Sequence, residues 1–216
     1  MDVEIWSDVV CPWCYLGKKH FEAALESFEH RAEVEVVYRS FELDPAAPTD
    51  VQTPTVERLA SKYGMSAEDA AAAQRQMTER AATVGLDFHL DDLTSGNTRD
   101  AHRLLHLAKA RDLQPELTER LHRAYFTEQR SIFDAQSLTA IAVEAGLDRD
   151  EVISVLEDGS YAHDVEADEA MAHAIGVTGV PFFVIDRHFA VSGAQPAAAI
   201  VAALDQAWTE AVRSDA

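Results

Sequence analysis

Cys11 and Cys14 are the two cysteines of this chain, and only Pro12 and Trp13 separate them. Two thiols at that spacing can close into a disulfide and open again, which is the chemistry of a Cys-x-x-Cys redox pair. Cys11, the more N-terminal sulfur, would sit over the unpaired N–H groups and the positive end of a helix dipole, where an anion is favoured. A thiolate there attacks a partner disulfide, and Cys14, one turn further in, resolves the mixed disulfide. Pro12 stiffens the turn and Trp13 offers a large apolar face beside the nucleophile, so both are expected to tune the pair. Structural zinc would need four ligands. No second cysteine pair exists and His20 alone closes no motif, so no metal is expected.

A second feature is Gly176-Val177-Thr178-Gly179-Val180-Pro181, which leads into a compact apolar run. Proline is tolerated at the start of a strand because its missing donor costs nothing there, and X–Pro is the bond that can be cis. If this loop lies against Cys11, the Val180 backbone can pair with an extended substrate while Pro181 leaves the sulfur approachable. The competing reading is a plain turn before a strand.

These residues need elements to position them. Val3 to Ser7 alternates in strand fashion, and from Pro12 the residues Trp13, Leu16, Phe21, Ala24 and Leu25 recur at helical spacing. Pro12 suits a first helical turn. The cysteines therefore fall where a strand ends and a helix begins. Val34 to Arg39 reads as a second strand, parallel to the first. Pro45, Pro48 and Pro54 mark a connection, beyond which nearly everything from Thr55 to Ala174 reads helical. Ser66-Ala67-Glu68-Asp69 looks like the cap of a long Ala-rich helix ending near Gly85. Strands return at Pro181–Ile185 and Phe189–Ser192, joined as a hairpin through Asp186-Arg187-His188, and a last helix follows Pro196. The order is β-α-β, a helical block, then β-β-α. It predicts an α/β, thioredoxin-like fold with a large all-helical insertion: 1–50 and 176–216 form the discontinuous thioredoxin-like domain, and 51–175 form the inserted one.

Composition narrows the partners. Eighteen basic against 38 acidic side chains give a formal charge of −20, which repels phosphate backbones and anionic lipid. Neither nucleic acid nor a membrane is an expected partner. Met1 to Ile5 carries no basic region or apolar run of a signal peptide, and no stretch nears the ~20 apolar residues of a membrane span. A cytoplasmic protein is expected, as monomer or homodimer. The paired cysteines do not resemble the dispersed set of a secreted disulfide scaffold.

Ser7 to Gly17, Ser40-Phe41-Glu42-Leu43, Asn97 to Arg103 and Gly176 to Phe183 together resemble the DsbA family, FrnE-like subgroup, essentially end to end. The resemblance implies a thioredoxin fold with an inserted helical domain, a cis Pro181, and disulfide exchange with a dithiol or disulfide substrate, protein or small molecule. It also implies a redox recycling partner and no bound cofactor beyond the redox-active disulfide, with a low-molecular-weight thiol such as glutathione as a further reactant. Relatives include 2-hydroxychromene-2-carboxylate isomerases and kappa-class glutathione transferases, which typically have Ser at the position of Cys11 and use glutathione. A glutathione-dependent isomerase or transferase acting on a small aromatic or polyketide-like substrate is therefore the alternative, and a non-enzymatic redox switch is a third reading. Both cysteines are present, which favours redox chemistry. Trp13 stands where the best-known periplasmic members carry His; a His could stabilise the thiolate electrostatically and Trp cannot.

Other residues carry two readings each. Asp8 could relay a proton to or from Cys14, or be a solvated turn residue or helix cap. Asn97 could line a cleft under the helical block, or cap the helix starting at Thr98. His102 and His106 lie one turn apart without the pattern of a zinc hydrolase, and packing is favoured for them. Gly193-Ala194-Gln195-Pro196 could border the active site or simply enter the last helix.

Overall fold

The computed structural model describes residues 1–49 and 52–214. Along the chain these form β1 (Asp2–Ser7), α1 (Pro12–Ser27), β2 (Glu35–Ser40), β3 (Thr53–Pro54), α2 (Thr55–Tyr63), α3 (Ala67–Ala82) and β4 (Thr94–Ser95). Then come α4 (Arg99–Lys109), α5 (Gln114–Phe126), α6 (Ala135–Glu144), α7 (Arg149–Asp158), α8 (Ala162–Ala174), β5 (Phe182–Ile185), β6 (Phe189–Ser192) and α9 (Ala197–Ser214). Two compact units result, one made of Met1–Leu43 with Glu166 onward, the other of Asp44–Val165.

The first unit is built on a four-stranded sheet in the order β2-β1-β5-β6. β1 and β2 pair in parallel through the α1 crossover, while β5 runs antiparallel to both β1 and β6. Strand alternation divides β1 between two cores. Val3 and Ile5 pack with Phe21, Ala24 and Phe28 of the α1 side and with Ile200, Leu204 and Ala207 of α9. Trp6 faces the other way, against Ala172, Val177 and Val184.

On that second face the sheet grips α8 with polar contacts. The Trp6 indole Nε1 donates to the Asp168 carbonyl at 2.9 Å. The Asp168 carboxylate accepts from Arg39 Nη1 at 3.0 Å and from the Ser40 N–H at 2.9 Å. Arg39 also donates through Nε to the buried Glu4, at 2.9 Å. These contacts correct the expected division of the chain. The helical insertion ends at Val165, before most of α8, and does not run on to residue 175. The other expected boundary, between residues 50 and 51, lies outside the described residues; the units divide at 43/44.

The second unit is mostly helical, α2 to α7, with the two-residue β3–β4 ladder in addition. Leu104, Leu117, Leu121, Phe126, Ile132, Leu138 and Ile141 form its fully buried interior. Ser66 caps α3 by accepting the Asp69 N–H, as the Ser-x-x-Asp spacing predicts.

Candidate active site

Cys11 is the N-cap residue of α1, and Pro12 opens the helix. The turn that delivers it is tight: the Cys11 N–H donates to the Asp8 carbonyl at 3.1 Å, and the Cys11 carbonyl accepts from Cys14 N–H at 3.0 Å. No acidic side chain occupies the first turn of α1, so nothing on the helix competes with a thiolate for its positive end. Both cysteines are free thiols and buried. Trp13 between them is 42% exposed, a large apolar surface at the rim of the sulfur.

The two thiols differ in environment. Burial pushes the Cys14 thiol well above the ordinary range, and neighbouring Cys11 adds to the rise through a hydrogen bond and its charge. The Ser7 hydroxyl and the Asp8 backbone bond to Cys14 and pull the other way. Cys14 is therefore a proton-holding sulfur at neutral pH.

The Val180–Pro181 loop lies against the Cys11 sulfur. Cys11 Sγ donates to the Val180 carbonyl at 3.7 Å, and the Val180–Pro181 peptide bond is cis. Pro181 in turn packs on α1 at Gly17. A Cβ at position 17 would fall 2.7 Å from Pro181 Cγ and 3.5 Å from Ala194 Cα. Glycine mid-helix costs about 1 kcal/mol against alanine, and here that cost secures the close approach of the loop. Gly193 completes the arrangement, donating its N–H to the Pro181 carbonyl at 2.9 Å. The 193–196 turn thus borders Pro181.

Asp8 is not a solvated turn residue. It is 1% exposed, and its carboxylate accepts the Leu43 N–H at 2.7 Å. Asn97, in the second unit, accepts the Arg99 N–H at 2.9 Å and donates to the Ala47 carbonyl at 3.1 Å. It ties the start of α4 to the backbone at Ala47. His102 and His106 are buried in α4, where the His106 ring stacks on Tyr161 with centroids 6.3 Å apart. Among the described residues no group of three or more His, Cys, Asp or Glu side chains could hold a metal ion. Sequence reasoning gave no role to Ser7 or Gly17. Gly17 carried a signal, being a helix-disfavoured residue inside a strong helical pattern; Ser7 carried none.

The family model for the DSBA-like thioredoxin domain matches residues 2–205. The chain belongs to that family. Among solved members, the probable DsbA oxidoreductase SCO1869 from Streptomyces coelicolor is 51% identical, superimposes with a TM-score of 0.94, and is matched over 97% of this chain and 91% of its own. The Bacillus subtilis (strain 168) protein YwbO is 32% identical over 187 residues, which is 85% of this chain and 86% of YwbO. A more distant likeness, of fold alone, is to the cytosolic disulfide reductase DsbM from Pseudomonas aeruginosa with GSH, at 15% identity and a TM-score of 0.61 over 100% of both chains. For this DsbA-like chain no helix among the described residues is long and apolar enough to cross a membrane.

Proposed function

We propose that this DsbA-like protein is a thiol-disulfide oxidoreductase working through Cys11-Pro12-Trp13-Cys14 in the cytoplasm. The observation that carries the reading is the inequality of the two sulfurs. Cys11 stands at a helix start against the Val180 carbonyl, while Cys14 is held protonated by burial. In the reducing direction the Cys11 thiolate attacks a substrate disulfide. A Cys11–substrate S–S bond forms, the substrate S–S bond breaks, and the departing thiolate takes up a proton. Cys14 then gives up its proton and attacks Cys11 Sγ, closing the Cys11–Cys14 disulfide and releasing the second substrate thiol. Two electrons pass to the substrate, and a recycling dithiol or low-molecular-weight thiol restores the pair. The oxidising direction is the same path reversed, and the potential of the pair decides between them.

Val180 and Pro181 orient the substrate, with the Val180 backbone alongside an extended segment. Pro12 and Trp13 set the stiffness and polarity around the sulfur. Asp8, whose backbone already bonds Cys14, is the carboxylate assigned to accept the Cys14 proton. The cytoplasmic reading and a glutathione-type recycling thiol are in keeping with the DsbM likeness. The presence of both sulfurs speaks for exchange over a Ser-based isomerase.

The test is catalytic reduction of insulin disulfides in a thiol buffer. A substoichiometric amount of the protein is expected to accelerate reduction well beyond the buffer alone, with many turnovers per chain. A rate equal to that of the buffer, in both the reducing and the dithiol-oxidising assay, would remove this function.

A further inference from the structure

One histidine of α1 is used by none of the steps above. His20 is half-buried, and its Nδ1 lies 2.8 Å from the Gln195 carbonyl oxygen. A carbonyl can only accept, so Nδ1 carries the proton and donates. Gln195 sits in a tightly bonded turn: its N–H donates to the Gly193 carbonyl at 2.8 Å, and its Nε2 donates to the Ser192 carbonyl at 2.9 Å. The Gly193 N–H reaches the Pro181 carbonyl at 2.9 Å, and the Val180 carbonyl just before Pro181 receives Cys11 Sγ at 3.7 Å. A continuous run of hydrogen bonds and chain therefore leads from His20 to the atom beside the nucleophile.

A second observation, independent of the imidazole, identifies the same seat. Gly17 and His20 are three residues apart and so share one face of α1. Gly17 makes room for Pro181 and Ala194, and His20, one turn later, holds the residue after Ala194. One position removes a side chain to let the turn approach, and the other supplies a donor to keep it there.

We infer that His20 is a positioning residue: it clamps the Gly193–Gln195 turn onto α1 and thereby fixes the Val180–Pro181 backbone where an extended disulfide substrate must lie. The inference rests on the proposed exchange reaction for its consequence but not for its geometry. His20 touches neither sulfur. Its loss weakens the docking of an extended substrate and leaves the intrinsic reactivity of Cys11 alone.

Three variants test it. Asparagine places an amide nitrogen where Nδ1 stands, glutamine places one near Nε2, and alanine has no donor. With a disulfide-bridged peptide substrate, His20→Ala and His20→Gln are expected to raise KM about fivefold, the weight of one neutral hydrogen bond. His20→Asn stays near the parent value, and kcat and Cys11 alkylation by iodoacetamide change less than about twofold. Hydrogen exchange over residues 176–195 reads the clamp without turnover. It quickens in His20→Ala and returns to the parent rate in His20→Asn. An unchanged KM in His20→Ala, an asparagine variant as poor as alanine, or unaltered exchange in that segment would overturn the assignment. If the unmodified protein turns over no disulfide, the exchange reaction fails, and the hydrogen-exchange comparison still decides the clamp.

Discussion

Cys11→Ser is expected to lose disulfide turnover by about a thousandfold or more, the scale seen when a nucleophile is removed. A hydroxyl is a poor nucleophile at neutral pH and forms no bond equivalent to the mixed disulfide. The fold should survive. Serine is smaller by little more than the difference between sulfur and oxygen, it can donate to the same Val180 carbonyl, and no disulfide is lost from the scaffold. A melting temperature within about 4 °C of the parent is therefore expected. Cys14→Ser gives the contrasting result. It keeps the attacking sulfur and loses the resolving one, so it accumulates a covalent adduct with one equivalent of a disulfide partner, visible by non-reducing electrophoresis. If Cys11→Ser forms the adduct and Cys14→Ser does not, the two roles are reversed.

Gly17→Val produces the second large effect, on stability and turnover together. The first added carbon already meets Pro181 Cγ at 2.7 Å, and a branched side chain extends the collision toward Ala194. Overpacking of this kind costs about 1–3 kcal/mol. In a protein of this size that lowers the melting temperature by about 3–10 °C. The relief available is movement of Pro181 away from α1, which carries the Val180 carbonyl away from Cys11. Turnover of a peptide disulfide then falls more than the alkylation rate of Cys11. Gly17→Ala lies between, because its gain in helix propensity of about 1 kcal/mol offsets part of the collision. A valine variant that melts with the parent and keeps its kcat/KM would show that the close approach carries no function.

The placement of the cysteines where a strand gives way to a helix was legible because its signals are local. Strand alternation through Ile5, Pro12 at the first helical position and a cysteine on either side of that proline need no tertiary information. The same holds for the β5–β6 hairpin, whose turn puts Asp186 and Arg187 at positive φ. What escaped is non-local. β3 and β4 are two residues each, paired as Thr53 with Ser95 and Pro54 with Thr94, too short for any periodicity. α8 reads as one more helix of the insertion until Arg39, Ser40 and Trp6 are found holding Asp168. The burial of Asp8 is non-local too: the Leu43 N–H that meets its carboxylate lies 35 residues away. Nothing in the sequence ties Ser7 to Cys14 or His20 to Gln195, since each meets a group brought to it by the fold.

The most direct test of the central claim is differential alkylation of the reduced protein from roughly pH 6 to roughly pH 10, a span that brackets ordinary thiol titration. Each cysteine is quantified separately by mass spectrometry. A thiol held up by burial keeps its proton as pH rises through that range, so its labelling lags. The expected result is Cys11 modified at least about tenfold faster than Cys14 near neutral pH, with Cys14 labelled only toward the alkaline end. Equal rates, or Cys14 modified first, would contradict the assignment of one attacking and one resolving sulfur.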